Sequence, residues 1–506
     1  MYLKWSNLFT EKGMKKALIM LLWALMHGGL VYAQTAPKFD FKLSGLIDNL
    51  SILSRNLEER TTSDGGIYGP PSPAFRPGGS AFGRTISYMA SRARLKLDAV
   101  MGKALSGTIF LEMDSTRWGE TAGGRNQIGK WNADQAAVEV KNVYIDFAPP
   151  SEILPIPVTL RVGLQPLSMR PAMVVYTDGM GIAADIKVDP VTINPLWFKA
   201  VENQDFSSDD VDVYGIHMFA KVQQFTVGGY GLYYNMNTYP FPATVSSTVN
   251  FNSDMWWVGT YADGRLGPVN LKFDFVYDLG KVEDRRNIAV RARDVKYQGL
   301  ATRIKVDYPW EKFNFGIGLM YASGADQKKT DGTGFPGTTT PFSTPTTKVE
   351  SYVIPPGSEE PTSWFGESLA FYGSWVNRSR RGFMALNNNA LNRGAIGGTW
   401  YAKLSGSYKA ASWYKLTFET LYIGDTTKNG NTIGNARKAG LPRDDKTIGV
   451  EFDFINEINI YKNLKWDIGL GYLFPGKALE FFNPVTGRNI DGKDPWTITT
   501  RLIYTF

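Results

Sequence analysis

Arg92, Arg94 and Lys96 stand at alternate positions in the stretch SRARLKLDA. Residues two apart in an extended chain share a face, so this stretch carries a row of positive charge. Such a row can hold or steer an anion; it cannot make or break a bond. Arg161 in TLRVGLQ, and Arg303 with Lys305 further on, repeat the arrangement on a smaller scale. Groups suited to catalysis are scarce. After residue 33 the histidine present is His217, set in DVDVYGIHMFAKV among the alternating apolar residues Tyr214, Ile216, Met218, Ala220 and Val222. That places His217 on the polar face as a wall residue, not as half of a nucleophile–base pair. The absence of cysteine removes disulfides, thiolate metal sites and attached haem, and there is no HExxH. Gly332, Gly334 and Gly337 fit the GxGxxG pattern, but TTTPFSTPTT follows them and does not open the helix that a dinucleotide loop needs. The acidic DGKD at 491–494 reads as a solvated turn. The expectation is no catalytic residue, no metal and no cofactor.

The elements that must carry these side chains are strands, because the dominant period is two. In GPVNLKFDFVYDLG, Val269, Leu271, Phe273, Phe275 and Tyr277 share one face, while Asn270, Lys272, Asp274 and Asp278 share the other. NLKWDIGLGYLF sets Leu464, Trp466, Ile468, Leu470 and Tyr472 against Lys465, Asp467, Gly469 and Gly471. The pattern predicts about eighteen strands, with sixteen as the lower count. They fall near 39–49, 86–99, 105–114, 137–147, 157–165, 182–188, 191–200, 211–222, 225–235, 255–264, 268–278, 296–308, 312–322, 397–409, 413–423, 447–460, 463–474 and 495–505. Most are long enough for a tilted bilayer crossing, which takes about 9–11 residues. Their connections alternate between short links, such as GRLG and PWEK, and long polar ones, the longest at 323–396.

The start of the chain reads as an export signal. Lys15 and Lys16 precede an apolar run, and Val31-Tyr32-Ala33 supplies a small-residue cleavage pattern. Domain organisation is then a cleaved leader at 1–33 and a single barrel at 34–506. The leader takes four lysines and one glutamate with it, so the formal +7 falls to +4. A nearly balanced chain gives no reason to expect nucleic acid.

An open sheet cannot sit in lipid with unpaired edges, whereas a closed barrel pairs every backbone group. Alternating strands with short turns at one end and long loops at the other resemble the bacterial outer-membrane porin group, across the whole chain after the leader. The predicted fold class is all-β: a transmembrane, antiparallel, up-and-down β-barrel. Trp256, Trp257, Tyr308, Trp310, Trp400, Trp413, Tyr414, Tyr472 and Trp496 fall at strand ends, as aromatic girdles would. The resemblance implies a location in the outer membrane of a Gram-negative-type bacterium. Partners would be outer-membrane lipid, small hydrophilic solutes and the barrel-assembly machinery. By that resemblance Leu502, Tyr504 and Phe506 in WTITTRLIYTF form the aromatic-ended assembly signal. The group implies a homotrimer in many members, while many channels of about eighteen strands are monomers, so subunit number stays open.

In such a barrel the basic row faces the lumen, where Arg and Lys favour anions. Asp98, Glu112, Asp274, Glu419, Glu451, Asp453 and Asp467 face inward as well, so the charges read either as a selectivity device or as solvated wall. PLSMRPAMVVYTDGMG (166–181) reads as a loop whose apolar Met173–Tyr176 stretch folds into the lumen, setting Arg170 and Asp178 across from the row, or packs on a neighbouring loop or subunit. Arg378, Arg380 and Arg381 suggest an external basic patch or solvated loop. The functional expectation is a porin passing small hydrophilic solutes with mild anion preference. The rivals are a selective transporter for an oligosaccharide or organic acid, favoured if 50–85 or 323–396 plugs the lumen and flux saturates, and a scaffold barrel around a partner protein.

Overall fold

The computed structural model describes residues 39–56, 85–119, 136–171, 173–202, 205, 208–240, 251–284, 294–330, 344–345, 347–358, 367–373, 390–484 and 486–506. The stretch read as a leader, 1–33, the glycine pattern at 332–337 and Arg378, Arg380 and Arg381 lie outside these residues.

Eighteen long strands form the wall. The first nine are β1 (Phe39–Arg55), β2 (Thr85–Met101), β3 (Leu105–Arg117), β4 (Glu139–Phe147), β5 (Val158–Met169), β6 (Val175–Val188), β7 (Val191–Val201), β8 (Val211–Val222) and β9 (Phe225–Tyr239). The second nine are β10 (Phe251–Leu266), β11 (Val269–Asp284), β12 (Val295–Trp310), β13 (Phe313–Ala322), β14 (Thr399–Ala411), β15 (Tyr414–Asp425), β16 (Thr447–Tyr461), β17 (Leu464–Pro475) and β18 (Trp496–Thr505). Each pairs antiparallel with its sequence neighbour, and β18 pairs with β1 from Leu46↔Thr505 to Arg55↔Trp496, so the sheet closes. Closure leaves no edge to satisfy.

The alternation sorts the two faces as the sequence pattern demands. On β13, Phe313, Phe315, Ile317, Leu319 and Tyr321 are exposed outside, and Gly316, Gly318, Met320 and Ala322 turn inward and are buried. A hydrocarbon-facing exterior of this kind is stable in lipid and not in water. Trp256, Tyr308, Trp310 and Trp413 stand on the exterior. Trp257 does not join them. It is fully buried and donates from Nε1 to Val353 O at 2.8 Å, because one step along a strand reverses the face.

The two ends differ. At one end the connections are tight, as at 102–104, where Gly102 (φ 60), and 267–268, where Gly267 (φ 58), adopt the left-handed region that glycine tolerates. At the other end lie the long connections. The stretch read as a loop at 166–181 proves mostly strand: β5 runs to Met169 and β6 begins at Val175, with Arg170, Pro171, Met173 and Val174 in the turn between them.

Parts of the long connections belong to the interior. Residues 351–358, 367–373, 390–399 and much of 425–436 are buried. Tyr352, Val353, Phe371, Tyr372, Leu391 and Ile433 join one apolar cluster with wall residues such as Trp257, Tyr297, Tyr401 and Leu473. Lys348–Val349 add to the wall itself, pairing parallel with Lys296–Tyr297 above the point where β13 stops.

Candidate functional site

The site is the lumen, and its charges come from strand positions two apart. Arg92, Arg94 and Lys96 descend β2 on the inner face, and the structure brings all three to carboxylates. Glu112 on β3 meets Arg92 at 3.0 Å, Arg94 at 2.8 Å and Lys141 at 3.3 Å. Lys141 passes the chain on to Asp178 at 2.6 Å, and Asn142 donates to the other oxygen of Asp178 at 2.7 Å. Lys96 pairs with Asp98 at 3.0 Å. Arg161 forms a two-pronged pair with Asp146 at 2.7 and 2.9 Å and stacks on Tyr144 at 4.2 Å.

Arg170 lies away from this group. The turn 170–174 folds inward and carries Arg170 to the wall at β10 and β11, where it meets Asp263 at 2.7 Å, contacts Asp274, and covers the Tyr261 ring at 4.3 Å. Met173 and Val174 are buried beside it, and Tyr352 donates its hydroxyl hydrogen to Met173 O. Arg170 therefore stands across the lumen from the row, whereas Asp178, expected beside Arg170, joins the row instead because it lies on β6 next to Lys141 and Asn142. His217 is a wall residue whose Nε2 meets Tyr261 Oη at 2.8 Å.

A second chain of charge runs on from Asp274. Arg303 binds it at 2.8 Å and reaches Glu367 at 3.1 Å. Glu367 lies on the inward stretch 367–373, and Lys305 and Lys403 also meet it, the latter at 3.7 Å. Lys403 turns its other side to Glu419 at 2.8 Å. Burial works against the ionised form of Glu367, but Lys305, Lys403 and Arg303 together hold its pKa down at about 2.

The rest of this inward stretch rests on acids. Leu369 N donates to Asp453 at 3.1 Å; Ala370 N and Phe371 N donate to Glu451, the latter at 3.0 Å, and Ser368 Oγ adds 2.9 Å to the same carboxylate. Gly471 on β17 makes room, since a Cβ there would stand 2.7 Å from Leu369 Cβ. Of the inward acids, Glu112, Asp274, Glu451 and Asp453 are thus buried and partnered, Asp98 and Glu419 are half-buried in ion pairs, and Asp467 is buried beside Lys465 at 3.1 Å. Asp48 and Arg501 close the β1–β18 seam with two bonds of 3.0 and 2.8 Å. Leu502, Tyr504 and Phe506 stand outside, and Phe506 exchanges backbone bonds with Gly45.

The fold is that of an outer-membrane porin-like β-barrel. No family model and no curated protein matches the sequence. Solved structures are similar in fold. Pseudomonas aeruginosa OccK11 (OpdR) is 10% identical with a TM-score of 0.49, over 94% of this chain and 99% of that one. Acinetobacter baumannii OccAB4 is 10% identical at 0.48, over 93% and 99%. Pseudomonas aeruginosa OpdK, solved with vanillate, is 11% identical at 0.45, over 92% and 98%.

Lys141, Asp263, Glu367 and Lys403 were not marked by sequence reasoning. Lys141 sits at an irregularity where Phe110↔Asn142 gives way to Leu111↔Val140, which breaks the alternation that would have placed it. Glu367 had one signal, the apolar run Leu369–Tyr372 inside an otherwise polar insertion.

Proposed function

We propose that the chain is a substrate-selective outer-membrane channel for small hydrophilic solutes, with anions favoured. The observation that carries this reading is the stretch 367–373. It is held in the lumen between three cations and two acids of the wall, together with 351–358 and 390–399. A passage narrowed by folded chain makes each solute exchange water for wall contacts, and that exchange confers selectivity beyond size. The open, general-diffusion pore is the weaker reading for the same reason. Arg92, Arg94, Lys96, Lys141 and Arg161, gathered on one side of the lumen with Glu112, Asp98, Asp178 and Asp146, support the anion preference.

The test is flux through the purified barrel in planar bilayers and liposomes, with monocarboxylates, neutral oligosaccharides and amines as solutes. Saturation of flux by one class, with small conductance steps, is the expected outcome. Flux that rises linearly with concentration and depends on solute size alone would overturn the selective reading. In a salt gradient the reversal potential should lie on the anion side, and Arg92→Ala with Arg94→Ala should move it towards zero.

A further inference from the structure

We propose that Glu367 and the backbone after it occupy the channel's own solute-binding site as a tethered stand-in for the solute. This deepens the reading above and rests on it. Four cations, Arg170, Arg303, Lys305 and Lys403, surround this part of the lumen. Three wall carboxylates face them: Asp263, Asp274 and Glu419. Glu367 supplies the fourth negative charge, and it comes from an inserted stretch, not from the wall. Without it these seven groups carry one unit of surplus positive charge, while Glu451 and Asp453 lie further along, under the backbone of the stretch. Lys305 is the group left unmatched, since among the described residues Glu367 is the carboxylate it meets, whereas Arg303 keeps Asp274 and Lys403 keeps Glu419.

The other side of the stretch has the opposite chemistry. Ser368 Oγ and the N–H groups of Leu369, Ala370 and Phe371 all donate to Glu451 and Asp453, both fully buried. If the stretch moves away, those two carboxylates lose these donors. The wall thus asks for one carboxylate on the β12–β14 side and for N–H or O–H donors on the β16 side. A small solute with a carboxylate at one end and an ammonium or hydroxyl group at the other meets both demands. The solute replaces the carboxylate one for one, and an ammonium supplies three of the four donors, so neither the cations nor the acids are left bare during exchange, which would be costly in a buried setting.

The experiment measures block of ion current through the full barrel by 5-aminovalerate, valerate and pentylamine, three probes of similar length. Neutralising the stand-in with Glu367→Gln weakens the tethered competitor. The half-blocking concentration of 5-aminovalerate should fall at least tenfold, that of valerate should fall less, and pentylamine should not change. Adding Lys305→Gln should cancel the gain. An unchanged half-blocking concentration in Glu367→Gln, or a gain that survives Lys305→Gln, overturns the proposal. Wild-type saturation with no shift in Glu367→Gln removes this inference alone; block by no solute in either protein removes the selective channel with it. If Glu367→Gln does not fold, Glu367→Asp, which withdraws the carboxylate by one methylene, should give a smaller gain in the same direction, and no gain overturns the proposal.

Discussion

Replacing Arg170 isolates the contact that holds the 170–174 turn across the lumen. Its guanidinium meets Asp263 and Asp274 and covers Tyr261. Removing one partner of a buried pair costs about 3–5 kcal/mol when the other is stranded. Here stranding is incomplete. Asp274 is buried but keeps Arg303 at 2.8 Å, and Asp263 is about one-third exposed and can return to water. The expected cost of Arg170→Ala to the seated turn is therefore roughly 2–3 kcal/mol, below that range. At 1.36 kcal/mol per factor of ten, that shifts the seated-to-released ratio by about 30- to 150-fold. Arg170 also has φ 43, in the left-handed region where a side chain costs about 1–2 kcal/mol and glycine costs little. Arg170→Gly should thus be milder than Arg170→Ala by about 1 kcal/mol. Hydrogen exchange at Met173 and Val174, whose N–H groups bond to Arg170 O at 2.7 and 2.9 Å, reads the seating directly. Single-channel records should show larger, flickering steps. Unchanged exchange at both amides in Arg170→Ala, or a glycine variant worse than the alanine one, would refute the reasoning.

Three further outcomes are expected. Burial opposes ionisation of Glu367, but its three cations hold its pKa at about 2 against an ordinary 4.5, so its ion pairs contribute fully above pH 4.5 and are lost as pH falls towards 2; the protease protection that Glu367 adds to 367–373, read as wild type minus Glu367→Gln, should be flat from pH 5 to 8 and decline only below that window. A Cβ at Gly299 would lie 2.4 Å from Ser351 O, so Gly299→Val should unseat 351–358 and raise conductance while the barrel keeps its resistance to heat in SDS. Asp48→Asn removes the two-bonded partner of Arg501 at the seam and should cost about 3 kcal/mol, seen as a lower unfolding temperature; combined with Arg501→Ala, the loss should be less than the sum of the single losses.

The wall was legible in the sequence because lipid outside and polar groups inside impose a period of two, and each strand reports its own period. The eighteen expected segments all correspond to strands. The largest discrepancy is at β6, which begins at Val175 and not near 182: Gly179 and Gly181 blur the pattern there, since glycine has no side chain to show a face. Trp257 was placed with the girdle because aromatic type was weighed above parity. The row Arg92–Arg94–Lys96 was visible for the same local reason as the strands. Its partners were less so: Asp178 reaches Lys141 from β6, and Glu367 reaches Lys305 from an insertion. Those contacts depend on where the inward stretches settle, a matter of long-range fit that no local period records.

The seam has a consequence for how the barrel comes into being. Nearly every strand pairing joins neighbours along the chain, many through a link of a few residues, and such hairpins can form early. The β1–β18 pairing brings together groups 453 residues apart. Loop-closure entropy grows as (3/2)RT ln n, so bringing those strands together costs roughly 3 kcal/mol more than closing a ten-residue hairpin. The barrel should therefore zip as a growing ribbon and shut last at Asp48 and Arg501, with the seam as the slow, late step of assembly.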